Sequence, residues 1–265
     1  MTRPPAATRV LFASALSVTA LLTSAACSAE SPEGARAASA SSSASAPSAS
    51  ATATGQAPPA ASALTQAQVR AALITETDLG EPWMPSRGAA TWRDGLLKAT
   101  TENTDCRRLL DALYTEELFG TPTGPGAAVT LDDAYNDTQM RYQVAPHRPE
   151  DVDRTLSWLT TLPEKCGHFE ATTTGAGVQG VEVDELPLPE AGDARAALRV
   201  TVAGETGDGE QTYLTVDLAA VRVGEDTITL TNGGFGQVLH EITRAVAHLG
   251  AERLAEVRRQ VRVEV

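Results

Sequence analysis

Between residues 28 and 62 the chain is built almost wholly of Ala, Ser, Pro and Thr, and after Arg36 it carries no charge until Arg70. A stretch of this kind cannot bury enough apolar surface to offset the entropy lost on ordering. Folding is therefore confined to the residues C-terminal to it, and the expected organisation is a leader over 1–26, a disordered tether over 27–62 and one domain over 63–265. As a flexible coil the tether spans roughly 30–35 Å.

The leader sets Arg3 and Arg9 before an apolar run at 10–22, with Thr23, Ser24, Ala25 and Ala26 leading to Cys27. This is the pattern of a secretory signal peptide. The run would be about 20 Å long as a helix, too short to span a hydrocarbon core of about 30 Å. Small residues ahead of a cysteine resemble a bacterial lipobox, in which the Cys27 thiol takes a diacylglycerol and the mature chain carries palmitate-type acyl groups. Ser24 stands where that motif usually has Leu. A plain secretory signal, with Cys27 left as a thiol, is the alternative. Two or three acyl chains would hold a lipoprotein on the outer face of the cell membrane while its domain stays in water.

Lys and Arg number 21 against 34 Asp and Glu, a formal net charge of −13, and loss of Arg3 and Arg9 with the leader makes the mature chain more acidic still. That balance argues against nucleic acid, whose phosphates it would repel. The two other cysteines, Cys106 and Cys166, are expected to pair, because an exported chain meets an oxidising environment. A redox role would call for Cys-x-x-Cys spacing, which is absent.

Within 63–265 the hydrophobic period switches between helix and strand. Thr65 caps a first helix carrying Val69, Leu73 and Ile74. Residues 83–92 read as loop or irregular strand. Asp105 is the expected N-cap of a second helix with Leu109, Leu110 and Leu113. Val129 and Leu131, then Met140, Tyr142 and Val144, alternate with polar residues around Asn136 and Asp137, a hairpin signature. A third helix follows Pro149 with Val152, Leu156, Leu159 and Leu162 on one face. Strands are expected around Val181 and Val183, Leu198 to Val202, Leu214 to Val223, and Ile228 to Leu230, and a last helix over 237–260. The sum is an α+β single domain: a twisted, mostly antiparallel sheet with helices packed on one face.

Several familiar signatures fail on their chemistry. The glycines at 175, 177 and 180 match G-x-G-x-x-G, but a strand rather than a helix comes after them, so they read as a turn. His240 is followed by Glu241 but has Arg244 where a zinc protease needs its second histidine, and arginine cannot ligate zinc. His240 and His248 lie two helical turns apart, too far for one ion; His147 and His168 read as solvent-facing. Neither Ser86 nor Ser157 lies in a G-x-S-x-G elbow. The acidic pairs Asp132–Asp133, Asp184–Glu185 and Glu225–Asp226 lack EF-hand spacing. No catalytic residue, metal or cofactor is therefore expected.

Residues 140–144 (MRYQV), 148–154 (RPEDVDR), 156–162 and the run Cys166, Gly167, His168, Phe169 together resemble the PknH-like extracellular sensor domain of actinobacterial membrane kinases. Residues 73–79 (LITETDL) and 221–224 (VRVG) extend the likeness over about 64–260. The resemblance implies an α+β domain with a central cleft for an unidentified small ligand, and free-standing lipoprotein versions. It departs in offering cysteines for one disulfide where that family has two. Kinase chemistry is not implied: no glycine-rich loop or H-R-D segment is present, and Lys98 and Lys165 are the only lysines.

Three functional classes remain. The favoured one is a non-enzymatic, sensor-like binding domain of a monomeric envelope lipoprotein, its cleft lined by Trp83, Trp92, Tyr142 or Trp158 and taking a small apolar or lipid-like ligand. The alternatives are an envelope hydrolase using paired carboxylates, or a module docking a protein partner through its acidic surface.

Overall fold

The computed structural model describes residues 63–175, 177–205 and 209–264. The leader, the tether and Cys27 lie outside them. Thr65 and Gln68 cap each other's backbone to start α1 (Gln66–Ala71), and Thr75 and Asp78 do the same for α2 (Glu76–Leu79), which stops at Gly80 with φ +70°. The single first helix expected from the sequence is thus two short ones, broken because Thr75 restarts the capping pattern. Next come β1 (Trp83–Pro85), a wide π-type turn over Arg93–Leu97 and β2 (Ala99–Thr100).

Helix α3 (Thr104–Thr115) is capped by Asn103, whose Oδ1 accepts from the backbone N–H of Asp105 and Cys106. Asp105, the expected cap, instead lies inside the first turn, where its carboxylate accepts from Trp158 and Lys165. The expected hairpin is present as β3 (Ala127–Asp133) and β4 (Thr138–Pro146), with Leu131 opposite Met140 and Val129 opposite Tyr142. Pro149 opens α4 (Pro149–Leu159), and α5 (Leu162–Lys165) leads to Cys166. Five strands come next: β5 (His168–Thr173), β6 (Gly177–Glu185), β7 (Ala194–Glu205), β8 (Gln211–Val223) and β9 (Asp226–Gly234). The chain closes with α6 (His240–Glu264).

The nine strands among the described residues join one antiparallel sheet in the order β1-β3-β4-β9-β8-β7-β6-β5-β2, and the fold is a single α+β domain. The glycines at 175 and 177 sit at the β5–β6 connection, and β6 runs through Gly180, a strand where a dinucleotide site would need a helix.

The helices are where the fold departs from expectation: they cover both faces, not one. On β8, Leu214, Val216 and Leu218 pack toward α3 and α4, while Ala219, Val221 and Val223 pack toward α6. Each face is covered over only half its width. Helices α3, α4 and α5 lie over β5 to β8, and α1 and α6 lie on the other side over β3, β4, β9 and β8. Close approach on the α6 side needs Gly250, since any Cβ there would collide with the ring and hydroxyl of Tyr142. Two ion pairs with buried carboxylates tie α6 and its neighbours down. Asp217 accepts from Arg199 at 2.7 Å and from the Thr243 hydroxyl at 2.9 Å; Arg258 donates to Asp226 at 2.6 Å.

Candidate functional site

Half-coverage leaves polar residues on the strands where no helix lies above them. On the α3 side of β3, β4 and β9 these are Thr130, Gln139, Arg141, Gln143, Thr229 and Thr231, each half-buried. Strand register places Arg141 between Thr130 and Thr231, and Gln143 opposite Thr229. What half-buries them is an overhang from two sides. Residues 86–90 fold back and are pinned by a single amide: Gln139 Nε2 donates to Ser86 Oγ at 2.9 Å and Gly88 O at 3.0 Å, while its Oε1 accepts from Ala90 N–H. From the other side α3 ends over the sheet, turned by Glu116 in the left-handed region at φ 59°.

That turn aims Glu116 inward. Its two carboxylate oxygens contact two guanidinium groups, Arg93 Nη1 at 3.0 Å and Arg141 Nε at 2.7 Å. Arg93 also donates to the Tyr114 carbonyl at 2.5 Å. The side chains of Arg93, Glu116 and Arg141 keep 21%, 18% and 30% of their exposure. Nε of Arg93 and Nε of Arg141 are both buried without a well-directed hydrogen bond, the latter despite its short distance to Glu116. Above this triad opens a recess of about 400 Å³ walled by Arg87, Arg93, Glu116, Thr130, Gln139 and Arg141. Past Gln139 it adjoins a second hollow of about 350 Å³ bordered by Trp92 and Asp132. Asp132 there accepts from Gln139 at 2.8 Å. A larger open trough of about 650 Å³ runs beside α6, but the carboxylates Glu252 and Glu256 on its wall face His248 and Arg259 of the same helix.

Of the four aromatic residues proposed to line a cleft, none walls this recess; Trp92 borders the hollow adjoining it. Trp83 and Tyr142 are buried in the α6 layer, where the Tyr142 hydroxyl donates to Ala72 O at 3.4 Å and burial pushes the phenol well above its ordinary pKa. Trp158 packs at the outer side of α3, with Arg108 3.8 Å above its ring and Asp105 accepting from its indole N–H. The four do not form one cleft, because alternation along β4 turns Tyr142 to the opposite face from Arg141. Cys106 and Cys166 are bonded at 2.12 Å and close a 60-residue separation, joining α3 to the end of α5 far from the overhang. His147 is buried, not solvent-facing: its ring nitrogens meet Thr227 Oγ1 at 3.0 Å and Gly120 O at 3.3 Å, and burial holds its pKa below the usual value. His240 stands beside Glu241, and His248 Nδ1 beside the Glu190 carbonyl. No group of three metal-ligating side chains occurs among the described residues.

Arg93, Glu116 and Gln139 were not singled out by sequence. Two of the three sit in turns, where no periodicity marks a residue, and the polar alternation of Arg141 and Gln143 along β4 reads as an ordinary solvent face.

No protein-family model and no curated protein matches the chain. Among solved structures it is similar to the extracellular domain of PknH from Mycobacterium tuberculosis, at 11% identity over 77% of this chain and 100% of that one, with a TM-score of 0.44. It is also similar to the Saccharomyces cerevisiae Ran-binding protein Mog1p, at 10% identity over 51% of this chain and 76% of that one, with a TM-score of 0.22.

Proposed function

We propose that residues 63–265 form a non-enzymatic, sensor-like domain that binds a small ligand in the recess over Arg141, displayed on a tether and held to the outer face of the cell membrane by a lipid on Cys27. The observation that carries the binding reading is the recess itself: a concave, half-buried polar floor roofed from two sides on a part of the sheet that no helix packs against. Both oxygens of Glu116, the one carboxylate in its wall, are engaged by arginines, which favours holding over proton-transfer chemistry. For the anchor, the support is the leader pattern ahead of Cys27. No helix among the described residues is long and apolar enough to cross a membrane.

Mass analysis of small molecules co-purifying with the chain from its native envelope tests the binding reading. A stoichiometric ligand lost on Arg141→Leu substitution is expected; a ligand retained by that variant would place binding elsewhere. For the anchor, Cys27→Ala should release the protein to the medium, and unchanged membrane association would refute lipidation.

A further inference from the structure

The charge around the recess does not balance. Three guanidinium groups, Arg87, Arg93 and Arg141, share its wall with one carboxylate, Glu116, in a chain whose formal net charge is −13. Asp132, Asp133 and Asp137 border the adjoining hollow, with Asp132 accepting from Gln139 and Asp133 from Asn136. Two of the cations are largely withdrawn from water, and a half-buried charge without a full complement of partners is costly. Glu116 thus carries one negative charge for two guanidinium groups, whose remaining contacts, Arg93 to the Tyr114 carbonyl and Arg141 to Gln143 Oε1, are neutral.

Resting on the reading of the recess as a binding site, we infer that its ligand is a small organic anion, a carboxylate or phosphate monoester, seated between Arg93 and Arg141 with Arg87 at the rim. The planar fork of arginine matches both oxyanion geometries, pairing two N–H donors with two oxygens. A volume of about 400 Å³ fits a metabolite-sized solute. The polar floor of Thr130, Gln139 and Arg141 suits a hydroxyl-bearing anion such as a sugar acid or sugar phosphate, rather than the apolar ligand expected from the aromatics. The net charge of −13 on the whole chain repels polyanions and anionic bilayers, so a free solute is favoured over a lipid headgroup of the same chemistry.

The test uses the full-length Cys27→Ala chain in calorimetric titrations with glucuronate, glucose 6-phosphate and neutral glucose, and in sedimentation with phosphatidylglycerol vesicles. Binding of at least one soluble anion and not of glucose is expected. Arg141→Gln should weaken it at least tenfold, Arg141→Lys less, and added salt should weaken it further. Glu116→Gln should tighten it severalfold, because both guanidinium groups lose their internal competitor; a Glu116 that only held the fold together would give looser binding instead. Sedimentation with vesicles and no response to the soluble anions would identify a headgroup as the source of the same anion. Equal binding of glucose and glucuronate, or an Arg141→Gln affinity equal to that of the parent, overturns the anion assignment while leaving a ligand-binding recess in place. Silence toward every anion, with circular dichroism showing a folded chain, overturns the assignment as well. Absence of any co-purified ligand is the separate result that refutes the recess as a site.

Discussion

On one face of the sheet, β5 to β8 and the strands β3, β4 and β9 obey the same alternation and meet opposite fates. Over the first half, Val181, Leu198, Val200 and Leu214 point at Leu109, Leu110 and Leu156 of α3 and α4, and water is excluded. Over the second, the residues in equivalent positions are Thr130, Arg141, Thr229 and Thr231, and the same α3 ends at its margin. The other face repeats the division with its halves exchanged, since Glu170, Glu182 and Asp184 lie uncovered beside the α6 layer. Those acids are exposed on an open surface, whereas Arg141 and its neighbours are half-buried under an overhang. A polar half-face is thus not itself a site; the fold-back of residues 86–90 and the left-handed turn at Glu116 make it one.

The sharpest way to break the contrast is to empty the covered half. Leu109→Ala removes a fully buried side chain and should cost about 2–5 kcal/mol in urea unfolding; a loss below about 1 kcal/mol would mean that α3 is not packed as described. Removing the strut comes next. Replacing Cys106 and Cys166 together by Ala frees a 60-residue loop, with an expected loss of about 2–4 kcal/mol, the range typical of disulfides and just under the value of about 4 kcal/mol from the loop-entropy relation, read from the same unfolding curves.

A smaller effect sits at the seam between the halves, where His147 contacts Gly120 and Thr227 and its ring lies 5.5 Å from that of Phe119. Burial disfavours the imidazolium, so the unfolded chain binds the proton more readily. Stability should therefore be full above about pH 6.5 and fall as the pH drops below it, a decline that His147→Gln abolishes. Asp78 acts in the same direction at lower pH. Hydrogen bonding to Arg253 holds its carboxyl well below the ordinary range, so its contribution persists above about pH 4 and is lost in stronger acid. Asp78→Asn separates the two declines. The least effect belongs to the recess floor: Thr231→Ala should change stability by no more than about 0.5 kcal/mol, and a loss comparable to that of Leu109→Ala would erase the distinction between the halves.

Much of the scaffold is legible in the chain. The reciprocal caps at Thr65, the β3–β4 hairpin, the proline-led α4 and the long β8 arise from local pattern. The sidedness of the helices was legible too, though in a place easily passed over. In β8 the run Leu218, Ala219, Ala220 and Val221 is apolar without interruption, and all four are buried, as in strands covered on both faces. Strand β5 escaped notice because its apolar positions, Phe169 and Ala171, are few and come directly after a helix stop. The site was less accessible. Arg93 and Arg141 are far apart in sequence, and nothing local to either one specifies that Glu116 will be turned between them. That pairing is a product of where α3 ends, a tertiary fact. The aromatic residues drew attention for their size, yet size is also what sends Trp83 and Tyr142 into a core.

The sheet ends on both sides in very small strands, three residues in β1 and two in β2. Next to them, long strands such as β3 and β5 offer only part of their length to an incoming chain, and Pro85 at the end of β1 has no N–H to donate. Blunt margins of this kind keep neighbouring molecules from zipping edge to edge, so that at high local concentration, as the proposed membrane display would create, crowding need not become aggregation.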